Sequence, residues 1–214
     1  TSYASSSFTP PANATLLVFV FATGTVAAAP TLTGHSVDWT LETSILYNTV
    51  DTGYLFWANT GDSVAAGSVT FDCTGDAATG LVIVVTSFTN SDLNTPTPIK
   101  QVKTGAATST NPTVTLDTAL STANAYVVAF GCPRNTPTAT PPVHDMQWTE
   151  FADHGYGTPT SGASAAWRSG GETGSTVSFT MVSSNWGIIA AELYSKDQGP
   201  PLVPIIGGGY MEGA

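Results

Sequence analysis

Ser63 is the residue of this chain best placed to act as a nucleophile. It lies in the run Gly61-Asp62-Ser63-Val64-Ala65-Ala66-Gly67, just after a strand-like segment. A serine hydroxyl attacks only when a neighbouring base takes its proton. The three histidines are His35, His144 and His154, and none stands three places after an aspartate. Gly, Asp and Ser are also the residues that make tight reversals, so a hairpin turn is the expected role of this run. His144-Asp145 and Asp153-His154 bracket Trp148 and Glu150. Their spacing fits no zinc motif. Asp72 and Asp76 are turn aspartates outside any EF-type loop. No glycine-rich phosphate loop precedes a helix. The expectation is a non-enzyme with no catalytic residue, no metal and no cofactor.

The Ser63 run does resemble the GDS-x-x-x-G nucleophile block of the GDSL esterases. That resemblance implies an α/β fold and an Asp-x-x-His near the C-terminus, and the chain has neither crossover helices nor that pair. Cys73 and Cys132 each end an apolar run. Buried thiols, a disulfide and, least, a metal site are the readings open to them. Of the five tryptophans, Trp39, Trp57 and Trp186 lie in apolar strand patterns and read as core. Trp148 and Trp167 adjoin polar loops and are the two that could contact a ligand such as a sugar ring.

Charge is the strongest compositional signal. Only 9% of the 214 residues are charged, against roughly 25% in an average soluble domain. Threonine supplies about one residue in six, and β-branched side chains suit pleated sheet. Fifteen acids against five bases give a net charge of −10 and a pI near 4.3. The bases, Lys100, Lys103, Arg134, Arg168 and Lys196, form no cluster. A nucleic-acid partner and an anionic membrane surface are therefore not expected. The longest apolar run, 16–22, is of strand length, too short for a membrane helix. No signal-peptide pattern opens the chain, so none is expected.

The elements that must position these residues are strands. Segments 15–23, 80–89 and 124–132 are apolar runs expected as central strands. Shorter runs at 36–41, 44–49, 53–59, 67–73, 99–103, 112–116, 147–151, 163–168, 175–182 and 186–194 complete about a dozen. Residues 1–14 read as an extended N-terminal segment or first edge strand, and 90–98 and 133–143 as loops. No internal repeat with a fixed period is apparent, which argues against a propeller or a β-helix. The expected architecture is all-β, an antiparallel β-sandwich, jelly-roll-like, over 1–195. Residues 196–214 are rich in Pro and Gly, yet carry Leu202, Val203, Ile205, Ile206, Tyr210 and Met211. Three readings are open: an assembly arm that docks on a neighbouring subunit, which is favoured; a loose terminus; or a strand returning to its own sheet.

Two stretches, 7–21 (SFTPPANATLLVFVF) and 186–193 (WGIIAAEL), resemble minor structural proteins of tailed bacteriophages. Those are β-sandwich proteins displayed as decorations, head fibres or tail components. The resemblance implies a non-enzymatic protein made in the host cytoplasm and carried on the virion surface. It implies a homo-oligomer, a trimer being favoured, in contact with other virion proteins. The alternative is a receptor- or glycan-binding module, with a glycan as partner of Trp148 and Trp167.

Overall fold

The computed structural model describes residues 2–24, 26, 29–73, 78–89, 91–119, 121, 124–134, 148–158, 160–169, 174–196 and 204–206; of 204–206 only the backbone is described. These residues form fifteen strands and no helix. In chain order they are β1 (Ser2–Ala4), β2 (Ala14–Thr23), β3 (Thr31–Thr33), β4 (Thr40–Tyr47), β5 (Asp51–Asn59), β6 (Thr70–Asp72), β7 (Gly80–Thr89) and β8 (Ile99–Ser109). Then follow β9 (Thr113–Thr115), β10 (Ala125–Cys132), β11 (Thr149–Gly157), β12 (Thr160–Ser169), β13 (Thr176–Ser178), β14 (Ser184–Leu193) and β15 (Pro204–Ile206). All their pairings are antiparallel.

Four layers result. The two inner ones are five-stranded sheets of order β15-β7-β2-β5-β4 and β8-β14-β10-β12-β11. Leu17, Phe19, Phe21, Leu55, Val84 and Phe88 of the first sheet meet Val127, Ala129, Ile189 and Leu193 of the second in one inner core. Each sheet then carries a smaller sheet on its outer face. β1-β6-β3 covers Val18, Val20, Phe56, Ile83 and Val85 through Phe71, Val69 and Leu32. β13-β9 covers Val128, Phe130, Ile188 and Ala190 through Val177, Phe179 and Val114. Antiparallel strands usually alternate apolar and polar because one face is wet. Here β2, β7 and β10 are covered on both faces, which explains their unbroken apolar runs.

Two sequence expectations need correction. Segments 36–41 and 44–49 do not form two strands. β4 runs through Glu42, with a register shift between Leu41 and Thr43 that lets the strand bend without ending. β8 extends well past Lys103, to Ser109, because all of β14 is available as its partner.

A further finding, which no fixed sequence period signals, is that the chain contains a structural duplication. The four-strand orders β7-β2-β5-β4 and β14-β10-β12-β11 are the same topology in the same chain order. Each half has its own outer cap, and each sheet gains a fifth strand that follows the other half's last strand. β8 leaves β7 and pairs with β14; β15 leaves β14 and pairs with β7. Register makes the match specific. Leu17 stands opposite Trp57, which stands opposite Thr40; Val127 stands opposite Trp167, which stands opposite Thr149. Trp39 and Trp148 precede those threonines, and both pack on outer cores. Both rows then meet a register shift, between Leu41 and Thr43 and between Glu150 and Ala152. The sequence trace is faint: His35-x-x-x-Trp39-Thr40 against His144-x-x-x-Trp148-Thr149, and Gly67-Ser68-Val69-Thr70-Phe71 against Gly174-Ser175-Thr176-Val177-Ser178-Phe179.

Close approach between the sheets depends on glycine. A Cβ on Gly131 would lie 2.4 Å from the Phe21 ring, and one on Gly187 would lie 2.5 Å from Tyr47. The caps close with aromatic edges: Phe179 on Phe130 at 4.8 Å between centroids, and Phe71 on Phe56 at 6.1 Å. Phe71 and Phe179 are fully buried, so Phe71→Ala and Phe179→Ala are each expected to cost about 3–5 kcal/mol. Urea unfolding monitored by tryptophan fluorescence measures this. A loss below about 1 kcal/mol at either position would mean that its cap is dispensable.

Candidate functional site

The Ser63 turn and His35 do come together. Gly61, Ser63, Ala65 and Gly67 face His35, Ser36 and Val37 across a cleft of about 480 Å³. The His35 side is wound unusually, since Gly34, His35 and Ser36 have φ of 129°, 58° and 53°. Only glycine fits at 34, where a Cβ would lie 2.3 Å from the Ser68 carbonyl oxygen. Positive φ at two non-glycine residues is strain that the surroundings must hold. His35 supplies part of that hold. Its ring lies 4.4 Å from Phe8, and its Nδ1 donates to the Ala65 carbonyl oxygen at 3.1 Å.

That arrangement is poor for catalysis. His35 Nε2 is sealed from solvent and has no hydrogen-bond partner among the described residues. Asp62, the carboxylate next to Ser63, accepts from Asn13 Nδ2 at 3.0 Å. No hydrogen bond joins Ser63 to His35 among the described residues. Ser63 lies in a turn and His35 pins the loop opposite.

The remaining chemical candidates are dispersed. Glu150 and Asp153 lie on β11, where burial raises both carboxyl groups above their usual range. Ser164 Oγ donates to Glu150 at 2.9 Å and partly offsets this. His154 is on the same strand, whereas His144, Asp145 and Asp76 fall outside the described residues. Among the described residues no three of His, Cys, Asp and Glu converge as metal ligands. Cys73 and Cys132 are both buried thiols, and burial pushes Cys132 up to about 12.

Trp167 is half-buried against the inner core, edge-on to Phe88 with centroids 6.5 Å apart. Trp148 is half-buried against the outer core under β13-β9. In the C-terminal segment, Ile205 and Ile206 belong to a strand on the chain's own β7, opposite Ser87 and Thr86. Leu202, Val203, Tyr210 and Met211 fall outside the described residues.

One polar centre escaped the sequence reading. Glu192 lies in the apolar run of β14 and has no exposed surface. Its Oε1 accepts from Lys100 Nζ at 3.0 Å, Asn124 Nδ2 at 2.6 Å and the Ser121 amide at 3.2 Å. Its Oε2 accepts from Gln101 Nε2. These bonds outweigh the cost of burial and hold the carboxyl below its usual range. The cluster ties the start of β8 and the approach to β10 onto β14. Its sequence signal is one acid inside Trp186–Leu193, flanked by apolar residues that cannot satisfy it. Arg168, 1% exposed and opposite Tyr126 on β10, was equally hidden in a strand pattern.

Compared with known protein families, curated proteins and solved structures, the chain matches none.

The carboxylates titrate with opposite consequences. Glu192 is depressed, so its stabilisation is complete above the unfolded Glu range near 4.3 and is lost as pH falls through the folded value. Glu150 and Asp153 are raised, so each opposes folding when ionised and is relieved on protonation. Glu192→Gln is expected to cost about 2–3 kcal/mol at pH 7 and to flatten the acid limb of a stability–pH curve. Glu150→Gln should leave stability at pH 7 unchanged or higher. Denaturant melts from pH 3 to 8 report both, and equal losses for the two variants would contradict this assignment.

Proposed function

We propose that this protein is a non-enzymatic structural subunit of a viral particle, assembled through contacts between its own copies and with other virion proteins. The observation that carries the reading is where the charges and apolar residues go. Three closed cores take up the large apolar side chains. Only 9% of the chain is charged, and Asp51, Arg168 and Glu192 among these are buried. Interface cores are depleted in Lys, Glu and Asp, because an ion covered without a partner is costly. A surface of Thr, Ser and Asn is one that neighbours can cover.

The resemblance of 7–21 and 186–193 to phage decoration, head-fibre and tail components supplies the particle, and virion display follows from it. The C-terminal segment enters the proposal as a strand, 204–206, that pairs with β7 and can be donated to a neighbour's β7 instead. The half-buried packing of Trp148 and Trp167 favours this reading over a glycan platform, which needs open ring faces.

Size-exclusion chromatography with light scattering tests the proposal. The full chain is expected as a discrete oligomer, and deletion of 200–214 should leave the sandwich folded but weaken the oligomer. A chain that stays monomeric at every concentration, or labelling of Ser63 by a serine-reactive phosphonate, would overturn it.

A further inference from the structure

The two inner sheets have four edges, and three of them are guarded. β4 is interrupted by the register shift at Glu42. β11 is interrupted after Glu150 and carries Asp153 as well. β15 begins with Pro204, which has no amide hydrogen to offer. Bulges, charges and proline are how sheet edges avoid pairing with other chains.

β8 is built differently. It has eleven residues, and among the described strands only β14 pairs with it. Its irregularity is confined to the first end, opposite Glu192 and Leu193. From Val102 to Ser109 its register against β14 is unbroken. Its two charges also sit toward that end, and each has a partner: Lys100 with Glu192 and Lys103 with Asp117, both at 3.0 Å. Beyond Lys103 the strand reads Thr-Gly-Ala-Ala-Thr-Ser, with Ala106, Ala107 and Thr108 exposed. Beside it the end of β4 presents Leu46, 60% exposed. Leu46, Ala106 and Ala107 line a shared notch of about 320 Å³.

We infer that residues 104–109 of β8, flanked by Leu46, form the contact through which two copies of this chain pair edge to edge. The second copy fits by charge. Antiparallel pairing about a two-fold axis between Ala106 and Ala107 sets Ala106 opposite Ala107, Gly105 opposite Thr108 and Thr104 opposite Ser109. Lys103 then faces Thr110, so no two like charges oppose one another, although the whole chain carries −10. The same pairing joins two five-stranded sheets into one of ten and brings the exposed Leu46 side chains to its flanks. This contact deepens the assembly reading and rests on it, since it requires that copies meet.

Sedimentation velocity on the full chain and on Ala106→Lys/Ala107→Lys tests it. Both substitutions lie at exposed positions and leave the cores untouched, and a matching thermal midpoint verifies the fold. The double variant is expected to weaken self-association at least tenfold, and Leu46→Glu to weaken it in the same direction. An unchanged oligomer in both folded variants would overturn the edge contact. Should that oligomer dissociate on deletion of 200–214, the assembly reading survives without this contact. A full chain that is monomeric throughout removes both.

Discussion

The fold depends on one constraint: β2 and β10 lie at the centre of their sheets and cannot leave either face in water. Leu16 to Ala22 and Tyr126 to Phe130 have almost no accessible surface. Each fully buried large apolar side chain contributes about 1.5–3 kcal/mol, and these strands hold such side chains on both faces. A simple two-layer sandwich would leave half of them exposed. The outer caps β1-β6-β3 and β13-β9 answer this, and the chain spends several of its shortest strands on them. Glycine at 131 and 187 then lets the inner faces close around Phe21 and Tyr47.

The same constraint explains the repeat. One half can cover the outer face of its own centre strand, because its cap lies within the same segment. It cannot cover the inner face, which needs a second sheet of the same kind. Two copies of one topology, facing each other, meet both needs. The crossing of β8 and β15 then links the halves, since each sheet ends on a strand contributed from across the sandwich. Glu192 stands at one of these crossings and holds the incoming β8 by its first residues. On the other sheet, Thr15 Oγ1 pairs with Ser91 Oγ at 2.6 Å and donates to Asn59 Oδ1 at 2.9 Å. That end is tied without a charge.

Several residues that could carry chemistry make structural contacts within this frame. His35 pins a strained loop, Cys132 is a protonated thiol in a core, and Trp57 Nε1 donates to Glu42 Oε2 at 3.0 Å where β4 bulges. What remains outside is a sparsely charged exterior, and among the inner-sheet edges β8 keeps an unbroken register beyond its first residues.

By itself, the sequence determined that the chain would be all-β and where its central strands lie, because apolar runs bounded by Gly, Pro and Asn are local signals. The run 80–89 became a strand with those very bounds. It also determined that the surface would be sparsely charged and acidic, which is a matter of composition. Only the tertiary structure decided which faces meet. Trp39 and Trp148 read as different kinds of residue in sequence, one core and one loop-side, yet they occupy matching places in the two halves. The repeat was illegible because few positions need the same residue; what the halves share is register, and register is a relation between distant strands. The role of Glu192 was hidden for the same reason. Lys100, Gln101, Ser121 and Asn124 reach it only after β8 and β10 have been laid on either side of β14.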